Sequence, residues 1–251
     1  MVKIAIERIG THADCINDPL YVADSFGKDS GTILELVKMS GVKFDAHHNL
    51  TTIDPPELIR FGKKNHQETI IERPEENFFE LLVRRGFPIR QGRWCCEMLK
   101  ERGGSGRMVT TGIRWAESPR RKSKRRMFEI CQKDKTKKIL NPIIDWSDAD
   151  IWEFHKKYKI PYCELYDKGY KRLGCLGCPM SYWAEEELER YPKYKALFIK
   201  SFERLYKHKV AKGQTEPLKR WKNGTEMFYW WINKKRRKAS PEEQMCLAFD
   251  N

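Results

Sequence analysis

Four cysteines in two separated pairs place the strongest constraint on this sequence. Cys95 and Cys96 are adjacent, and Cys175 and Cys178 form a C-x2-C pair much later in the chain. Four thiolates gathered from two distant segments make a soft S4 site, which suits zinc or an iron–sulfur cluster. Zinc knuckles usually supply C-x2-C from both sides, whereas two neighbouring thiolates can each reach a different iron. The spacing therefore favours a cluster, with a structural zinc site and unrelated buried thiols as the alternatives.

Length and composition predict one average-to-large domain, or one domain with an extension. The chain has 251 residues, of which 40% are hydrophobic, enough for a substantial core. The opening residues are too charged for the apolar region of a secretory signal, and no apolar run approaches the roughly 18 residues of a membrane helix. We therefore expect a cytoplasmic protein with no membrane partner. In that reducing setting, cysteine clusters bind metal or do chemistry.

The net charge predicts anionic partners. The formal charge is +14, which favours nucleotides, sulfate-like groups or nucleic acid as ligands. One basic cluster spans residues 120–126, and another lies at 234–238. Solvated surface charge is the alternative interpretation of either cluster taken alone.

Strand-like and helix-like segments alternate along the chain. Short apolar runs predict strands at 19–23, 42–50 and 109–113. Three helices are predicted by their apolar faces and end signals: one from Thr32 to Met39 that stops at Gly41, one opened by Pro55 and Pro56, and one at 148–157 with Ser147 as its N-cap. The alternation predicts an α/β fold with a mostly parallel sheet, whose ligands bind at the carboxyl ends of the strands.

The segment Ser25-Phe-Gly-Lys-Asp-Ser30 lies between the first predicted strand and the first predicted helix. A helix N-terminus presents free N–H groups and the positive end of the helix dipole, so it attracts anions. Gly27 lets the backbone turn tightly, Lys28 adds a charge and Ser30 adds a hydroxyl. The segment is not a Walker A loop, because G-x4-G-K-[ST] is absent. An ordinary strand–helix turn is the alternative interpretation.

Taken together, these motifs resemble the phosphoadenosine phosphosulfate (PAPS) reductase family of the PP-loop superfamily, whose pyrophosphate-binding loop is similar to residues 25–30. Further segments carry the resemblance in the family's order: Arg93-Trp94-Cys95-Cys96-Glu-Met-Leu-Lys100, Gly112-Ile-Arg114-Trp-Ala-Glu117-Ser118, Asn141-Pro-Ile-Ile-Asp-Trp146 with Asp150-Ile-Trp152, and Leu165-Tyr-Asp-Lys-Gly-Tyr-Lys-Arg-Leu-Gly-Cys175-Leu-Gly-Cys178-Pro. The resemblance covers about residues 19 to 180. It implies an adenine-nucleotide α-hydrolase-like fold, a twisted and mostly parallel sheet flanked by helices.

The resemblance also implies roles for individual residues. The implied ligand is ATP, adenylyl sulfate or PAPS, bound with Mg2+. Its phosphate or sulfate oxygens would be bound by a set of loop and pocket residues: Ser25, Phe26, Gly27, Lys28, Asp29, Ser30, Gly112 and Arg114. Lys28 and Asp29 are the implied catalytic residues. In cluster-bearing members, paired cysteines and a later C-x2-C hold a [4Fe–4S] cluster near the nucleotide. The matching residues here are Cys95, Cys96, Cys175 and Cys178.

Two departures from the family pattern bear on the reaction. Assimilatory reductases attack the sulfonucleotide with a cysteine in a C-terminal Glu-Cys-Gly-x-His stretch, which this sequence lacks. Cys246 is the remaining candidate thiol, but no glycine or histidine follows it. The loop also keeps Lys-Asp-Ser, as in superfamily members that split ATP into AMP and pyrophosphate. Both departures favour a similarity to the DNA phosphorothioation sulfurtransferases of the family.

The sequence therefore predicts an iron–sulfur PP-loop enzyme that performs ATP-dependent sulfur transfer, with nucleic acid as a candidate acceptor. Reduction of adenylyl sulfate or PAPS to sulfite is one alternative, and a non-enzymatic nucleic-acid-binding subunit with a structural cluster is another. A protein that donates sulfur or electrons is an expected partner. Of these functions, only the first two predict turnover of a nucleotide.

The residues after the resemblance predict a separate extension. We expect a nucleotide-binding domain at 1–185 and a helical, basic, aromatic-rich extension at 186–251, with helices at 185–190 and 194–209. The extension interleaves aromatics with basic residues, which suits nucleic acid. The alternative is a helical cap whose aromatics are core. The aromatics concerned are Trp221, Phe228, Tyr229, Trp230 and Trp231.

Overall fold

The computed structural model describes residues 1–13, 15, 17–89, 91–181, 183–214 and 219–233. The chain divides into two compact units, and each is assembled from discontinuous segments. The first unit comprises residues 1–49, 56–73 and 102–173, and the second comprises 50–55, 74–101 and 174 onward. The predicted boundary after residue 185 stays a prediction.

The first unit is built on a six-stranded sheet. Its strands are β1 Leu20–Ala23, β2 Phe44–Asn49, β3 Thr69–Glu72, β4 Met108–Thr110, β5 Phe128–Ile130 and β6 Lys138–Leu140. They lie in the order β3-β2-β1-β4-β6-β5. Every neighbouring pair is parallel except β5 and β6, which pair antiparallel. The predicted α/β fold with a mostly parallel sheet is therefore confirmed.

Nine α-helices accompany these strands within the described residues. They are α1 Val2–Ala13, α2 Lys28–Ser40, α3 Pro56–Asn65, α4 Phe78–Arg85, α5 Pro119–Lys124, α6 Asp148–Tyr158, α7 Ala184–Arg190, α8 Pro192–Ala211 and α9 Gly224–Ile232. None of these helices is long and apolar enough to cross a membrane.

The helix ends follow from the local sequence. α2 stops where Gly41 takes a left-handed conformation with φ of 73°, which glycine adopts at little cost. Ser147 caps α6 by accepting a hydrogen bond from the Asp150 N–H, while the Asp150 carboxylate accepts from the Ser147 N–H. This reciprocal capping box satisfies two N–H groups that the helix itself leaves unpaired. The predicted stop of α2 and the predicted cap of α6 are both confirmed.

The core of the first unit lies between the sheet and its helices. Leu20, Tyr21 and Val22 are consecutive buried residues of β1, as expected of a parallel strand that is covered on both faces. The helices contribute Ile33, Leu36 and Val37 of α2, Ile9 of α1 and Ile151 of α6. β1 thereby occupies a central, immobile position, and the loop that follows it begins from a fixed point.

The second unit is helical within its described residues, and its core is rich in aromatic rings. Phe78 of α4, Phe198 and Phe202 of α8 and Trp231 of α9 are all fully buried together. A Cβ at Gly224 would lie 2.4 Å from the Glu203 backbone, so only glycine allows α9 to cross α8 at this distance.

The predicted helices at 185–190 and 194–209 are confirmed as α7 and α8. Of the aromatics in the predicted extension, Trp221, Phe228 and Trp231 are buried, whereas Tyr229 is 40% exposed. The buried rings pack in the core of the second unit and offer no face to a base. The basic run at 234–238 lies outside the described residues.

Candidate nucleotide site and cysteine cluster

The loop between β1 and α2 has an unusual backbone at Phe26. Its φ is 59°, a conformation that non-glycine residues rarely adopt. The ring is buried and stacks on His48 with centroids 4.0 Å apart, and it packs against the backbone of Gly62. Gly27 was predicted to make the tight turn, but its φ of −84° is ordinary extended backbone. Packing around Phe26, and not glycine freedom, therefore sets the loop's shape.

Asp24 anchors this loop from below. Its carboxylate is buried and accepts hydrogen bonds from the Phe26 N–H at 2.8 Å, the Ser30 hydroxyl at 3.0 Å, the Thr69 hydroxyl at 2.9 Å and His66 Nδ1 at 2.6 Å. Burial by itself would raise the pKa of Asp24, but the bonds from His66, Phe26 and Thr69 outweigh burial and lower it. The loop is therefore held by a buried, ionised carboxylate.

Two buried cations converge at the first turn of α2. The Lys28 ammonium lies 3.0 Å from the Asp29 carboxylate and 3.3 Å from Asp148. Arg114 donates to Asp29 at 2.7 Å, to Asp148 at 2.6 Å and to the Trp146 carbonyl at 3.1 Å. Lys28 is 5% exposed and Arg114 only 1%. Two positive charges are thus fixed beside a helix N-terminus, where oxyanions bind.

Asp148 completes this cluster and was missed by sequence reasoning. Its side chain is 71% exposed, and the bond from Arg114 lowers its pKa below the usual range although partial burial opposes the shift. Asp148 is the first residue of α6, where an acidic residue normally signals only a favourable interaction with the helix dipole. The sequence carried no signal that this carboxylate meets Lys28 and Arg114.

Tyr166 and His155 also contact the loop from later in the chain. The Tyr166 hydroxyl accepts a hydrogen bond from the Lys28 N–H at 3.0 Å, and burial raises the pKa of this phenol. His155 Nε2 lies 2.8 Å from the Lys28 carbonyl, which can only accept, so this nitrogen carries the proton. A Cβ at Gly27 would lie 3.3 Å from the Tyr166 oxygen. The small residue at 27 therefore leaves room for the phenol.

Gly112 brings the loop that follows β4 against α2. A Cβ at this position would lie 2.8 Å from the Asp29 carbonyl carbon, so any larger residue would push the two segments apart. Arg114 follows two residues later and reaches Asp29 from this close approach. The structure thus brings the loop residues 25–30, Gly112 and Arg114 together at the carboxyl end of β1. This arrangement can bind a polyanion through N–H groups, an ammonium and a guanidinium.

The four predicted metal-ligating cysteines meet in the second unit. Cys95, Cys96, Cys175 and Cys178 line one cavity. Cys96 opens a short π-helical turn, Cys96–Lys100, a feature often found at functional sites. The rest of the lining comes from Thr51, Ile53, Phe78, Leu99, Lys100, Gly177 and Pro179.

The thiols of this cavity differ in acidity. The hydrogen bond from Cys95 lowers the pKa of Cys96 to about 6, with further help from Arg93, although burial opposes the shift. The same bond raises the pKa of Cys95, as does burial, and burial raises the pKa of Cys175 to about 12. Cys96, a thiol that ionises readily, therefore lies beside partly buried thiols, and together they form a set of soft metal donors.

Within the described residues, no three His, Cys, Asp or Glu side chains are arranged to hold a single metal ion. A tetrahedral zinc with bonds of about 2.3 Å needs its four sulfurs within about 4 Å of one another. A cluster needs them farther apart, because each thiolate binds a different iron. A metal bound by these four cysteines stays a prediction.

The remaining described cysteines do not line this cavity. Cys15 is exposed and Cys131 half-buried, while Cys163 is buried in a small apolar group with Phe26 and Leu165. Cys246 lies outside the described residues, so its role as a nucleophile stays a prediction.

A family model for the phosphoadenosine phosphosulfate reductase domain matches residues 19–181, well over half of the chain. The chain belongs to the phosphoadenosine phosphosulfate reductase domain family. The matched region ends just beyond Cys178 and contains the loop, Arg114 and all four clustered cysteines.

Curated relatives agree with this assignment. An uncharacterized protein of Methanocaldococcus jannaschii is 31% identical over 83% of this chain and 47% of its own length. An adenosine 5′-phosphosulfate reductase of Geobacillus thermodenitrificans is 29% identical over 64% of this chain and 73% of its own length. A second uncharacterized M. jannaschii protein is 31% identical, with 36% of its length covered. The chain thus spans about half or less of the M. jannaschii relatives.

Solved structures share the fold. The phosphoadenylyl-sulfate reductase of Candida auris, crystallised with phosphate, superposes with a TM-score of 0.52 at 20% identity, covering 68% of this chain and 87% of that one. The FMN adenylyltransferase of Candida glabrata, crystallised with FAD and pyrophosphate, gives 0.51 at 16% identity, covering 70% and 62%. These likenesses show that the fold is shared.

Proposed function

We propose that this protein is a PP-loop enzyme that binds ATP and handles sulfur, with adenylation followed by sulfur transfer as its reaction. The observation that carries the proposal is the cluster of Lys28, Arg114, Asp29 and Asp148 at the N-terminus of α2. Two fixed cations there match the charge of a triphosphate better than that of an uncharged ligand.

The first step binds the phosphates at this end of the sheet. The N–H groups of α2 and the Lys28 ammonium meet the phosphate oxygens, and the Arg114 guanidinium adds a second positive charge beside them. Asp29 and Asp148 are partly exposed carboxylates, which suit the Mg2+ that accompanies ATP. Asp24 acts through the loop, because its bonds to Phe26 and Ser30 fix the orientation of the amides.

Adenylation then follows from the charge arrangement. An oxygen of the acceptor attacks the α-phosphorus, a new P–O bond forms, and the bond to the β-phosphate breaks. The bonding pair leaves with pyrophosphate, whose developing charge is stabilised by Lys28 and Arg114. A sulfur nucleophile next attacks the activated acceptor, and AMP departs with the electron pair of the cleaved bond.

The cysteine cavity supplies the second element of the proposal. Cys95, Cys96, Cys175 and Cys178 are the residues that would hold a [4Fe–4S] cluster. A bound cluster supplies iron that can hold sulfide or carry electrons. The low pKa of Cys96 favours the thiolate that iron ligation requires.

Reduction of adenylyl sulfate or PAPS to sulfite is the second candidate. It is favoured by the similarity to the adenosine 5′-phosphosulfate reductase of G. thermodenitrificans. A reductase needs a mobile thiolate that takes the sulfonate and is then released by a thiol carrier. None of Cys15, Cys131, Cys163 or Cys246 lies in the family's nucleophile sequence, so we rank this reaction second.

One panel of assays separates these functions. Protein purified without oxygen is offered ATP, adenylyl sulfate or PAPS with thioredoxin, and pyrophosphate and sulfite are measured. We expect pyrophosphate from ATP in the presence of an acceptor and little sulfite from either sulfonucleotide. Sulfite release that Cys246→Ser abolishes would establish the reductase instead. No turnover of any nucleotide would leave the non-enzymatic subunit.

Lys28→Met provides the matched test of the loop. It should weaken ATP binding by about 10- to 100-fold and leave adenosine binding unchanged, because the lysine meets only phosphates. Lys38→Met is the control, since Lys38 lies on the same helix but pairs with Glu35 and Glu68. Equal losses for ATP and adenosine would indicate damage to the fold and contradict the assignment.

A further inference from the structure

One face of α8 carries a stripe of basic side chains. The helix contains six lysines and arginines and a single carboxylate, Glu203. Lys193, Lys200, Arg204 and Lys207 are all exposed and follow one another at intervals of seven, four and three residues. Such intervals place side chains on the same face of a helix. At 1.5 Å per residue, the four charges extend over about 21 Å.

We name these four cations the α8 stripe, in which Lys207 is attracted by the Glu203 carboxylate without forming an ion pair with it. Glu203 is engaged elsewhere, because its carboxylate accepts hydrogen bonds from the Thr225 N–H and hydroxyl at 2.7 Å. The neighbouring helix α7 carries four glutamates, of which Glu189 forms an ion pair with Lys195, a residue that does not belong to the stripe. No ion pair joins a stripe residue to any described carboxylate. Like charges a turn apart repel one another, so the stripe favours an anionic partner.

The apolar side chains of α8 are turned into the protein and offer nothing that inserts into a membrane. Phe198, Phe202 and Leu205 are buried in the core of the second unit. A helix that lies on a bilayer must instead expose a broad apolar face to the lipid. Leu197 is the only large apolar side chain exposed on α8. The stripe thus offers charge without an insertable apolar face.

We propose that the α8 stripe binds the phosphate backbone of a nucleic acid. A line of point charges about 21 Å long matches a polymer whose charges repeat at regular short intervals. A single nucleotide or sulfate could engage only one or two of the four cations. The idea that this nucleic acid accepts the sulfur rests on the proposed function, whereas the idea that the stripe binds it does not.

Salt dependence measures the number of contacts directly. Each phosphate neutralised on duplex DNA contributes about −0.9 to the slope of log association constant against log salt. We expect the fourfold variant K193Q/K200Q/R204Q/K207Q to lose about 3 to 4 from this slope. Its affinity at 100 mM salt should fall by about three to four orders of magnitude, because the lost slope acts over the one log unit between 1 M and 100 mM salt. The probes are a labelled 20-base-pair DNA duplex and an RNA duplex of the same sequence.

A control variant with the same net charge isolates the position from the charge. K3Q/K63Q/K64Q/K156Q removes four exposed lysines of the first unit and should keep most of the slope and affinity. Equal losses in both variants, or binding by neither duplex, would overturn the proposal. Binding to phosphatidylserine vesicles that exceeds duplex binding and needs the stripe would overturn it in favour of a membrane.

Two readouts separate this proposal from the reaction. Thermal unfolding of the fourfold variant should match that of the control, because all four side chains point away from the core. Pyrophosphate release from ATP tests the proposed function by itself. We expect the fourfold variant to lose duplex binding and to keep ATP turnover with a small acceptor. Duplex binding by a protein that does not turn over ATP would contradict the proposed reaction but not the proposal for the stripe.

Discussion

Replacing Gly62 by alanine tests whether the nucleotide loop depends on the packing of Phe26. A Cβ at Gly62 would lie 2.3 Å from Phe26 Cδ2 and within 2.5 Å of two more ring carbons. Carbon atoms pack at about 3.5–4.0 Å, so the ring would have to move by more than about 1 Å. It has nowhere to go, because it is buried and stacked on His48.

Two opposing terms set the magnitude. Glycine to alanine inside a helix such as α3 stabilises by about 0.5–1 kcal/mol when nothing obstructs the methyl group. Overpacking a filled core costs about 1–3 kcal/mol, and the distances at Gly62 favour the upper half of that range. We therefore expect a net loss of about 1–2 kcal/mol, with the melting temperature lower by about 2–4 °C per kcal/mol.

Urea unfolding monitored by tryptophan fluorescence measures this loss. Gly10→Ala in α1 is the control, because nothing lies within 4 Å of the Cβ that it adds, and it should stabilise. A Phe26→Gly background should abolish the cost of Gly62→Ala, since the two residues interact directly. A Gly62→Ala protein as stable as the wild type, or an undiminished cost in the Phe26→Gly background, would refute the reasoning.

Three further outcomes follow from the sites. Asp24→Asn should lower the free energy of unfolding by about 2–4 kcal/mol at pH 7. The folded pKa of Asp24 is below its usual 3.8, so the carboxylate stabilises the fold above pH 3.8 and ceases to do so as pH falls through the lower folded pKa. Below about pH 4, the free energy of unfolding measured in urea should therefore decline less steeply for the variant than for the wild type, and parallel declines would contradict this. Anaerobic Cys96→Ser should lose the brown colour and the expected roughly four irons per chain, while Cys131→Ser keeps both; a colourless wild type with one zinc would exclude the cluster. Arg114→Lys keeps the charge but not the three-way bonding, so calorimetry should give about tenfold weaker ATP binding, and unchanged affinity would remove Arg114 from the site.

The sequence predicted those elements whose local signals agree with the final packing. β1 is a short apolar run, and α2 has an apolar face with a glycine stop, so both were found. α1 was missed because only Ala5 and Ile9 of its apolar face are fully buried. The charged residues Lys3, Glu7 and Arg8 interrupt the apolar pattern in the sequence. β5 and β6 have three residues each, one of them charged, Glu129 in β5 and Lys138 in β6, so no apolar run marks either strand.

The candidate site divides in the same way. Residues 25–30, Gly112 and Arg114 lie in contiguous motifs, and the structure brings them together. Asp148 and Tyr166 reach the loop only through the fold, at separations of more than 100 residues from Lys28. The tight turn was predicted at Gly27 because glycine adopts turn conformations at little cost. That it falls on Phe26 depends on a ring stack that no local pattern encodes.

The discontinuity of the second unit sets an order of events during synthesis. Cys95 and Cys96 emerge from the ribosome before residues 102–173, all of which belong to the other unit. At about 5–20 residues per second, several seconds pass before Cys175 and Cys178 follow. For that interval a nascent chain displays an adjacent dithiol with no partners and a half-made pocket. A metal site that needs all four cysteines can therefore form only after Cys175 and Cys178 have been synthesised. Until then Cys95 and Cys96 are open to oxidation, and rapid synthesis of the second pair shortens that period.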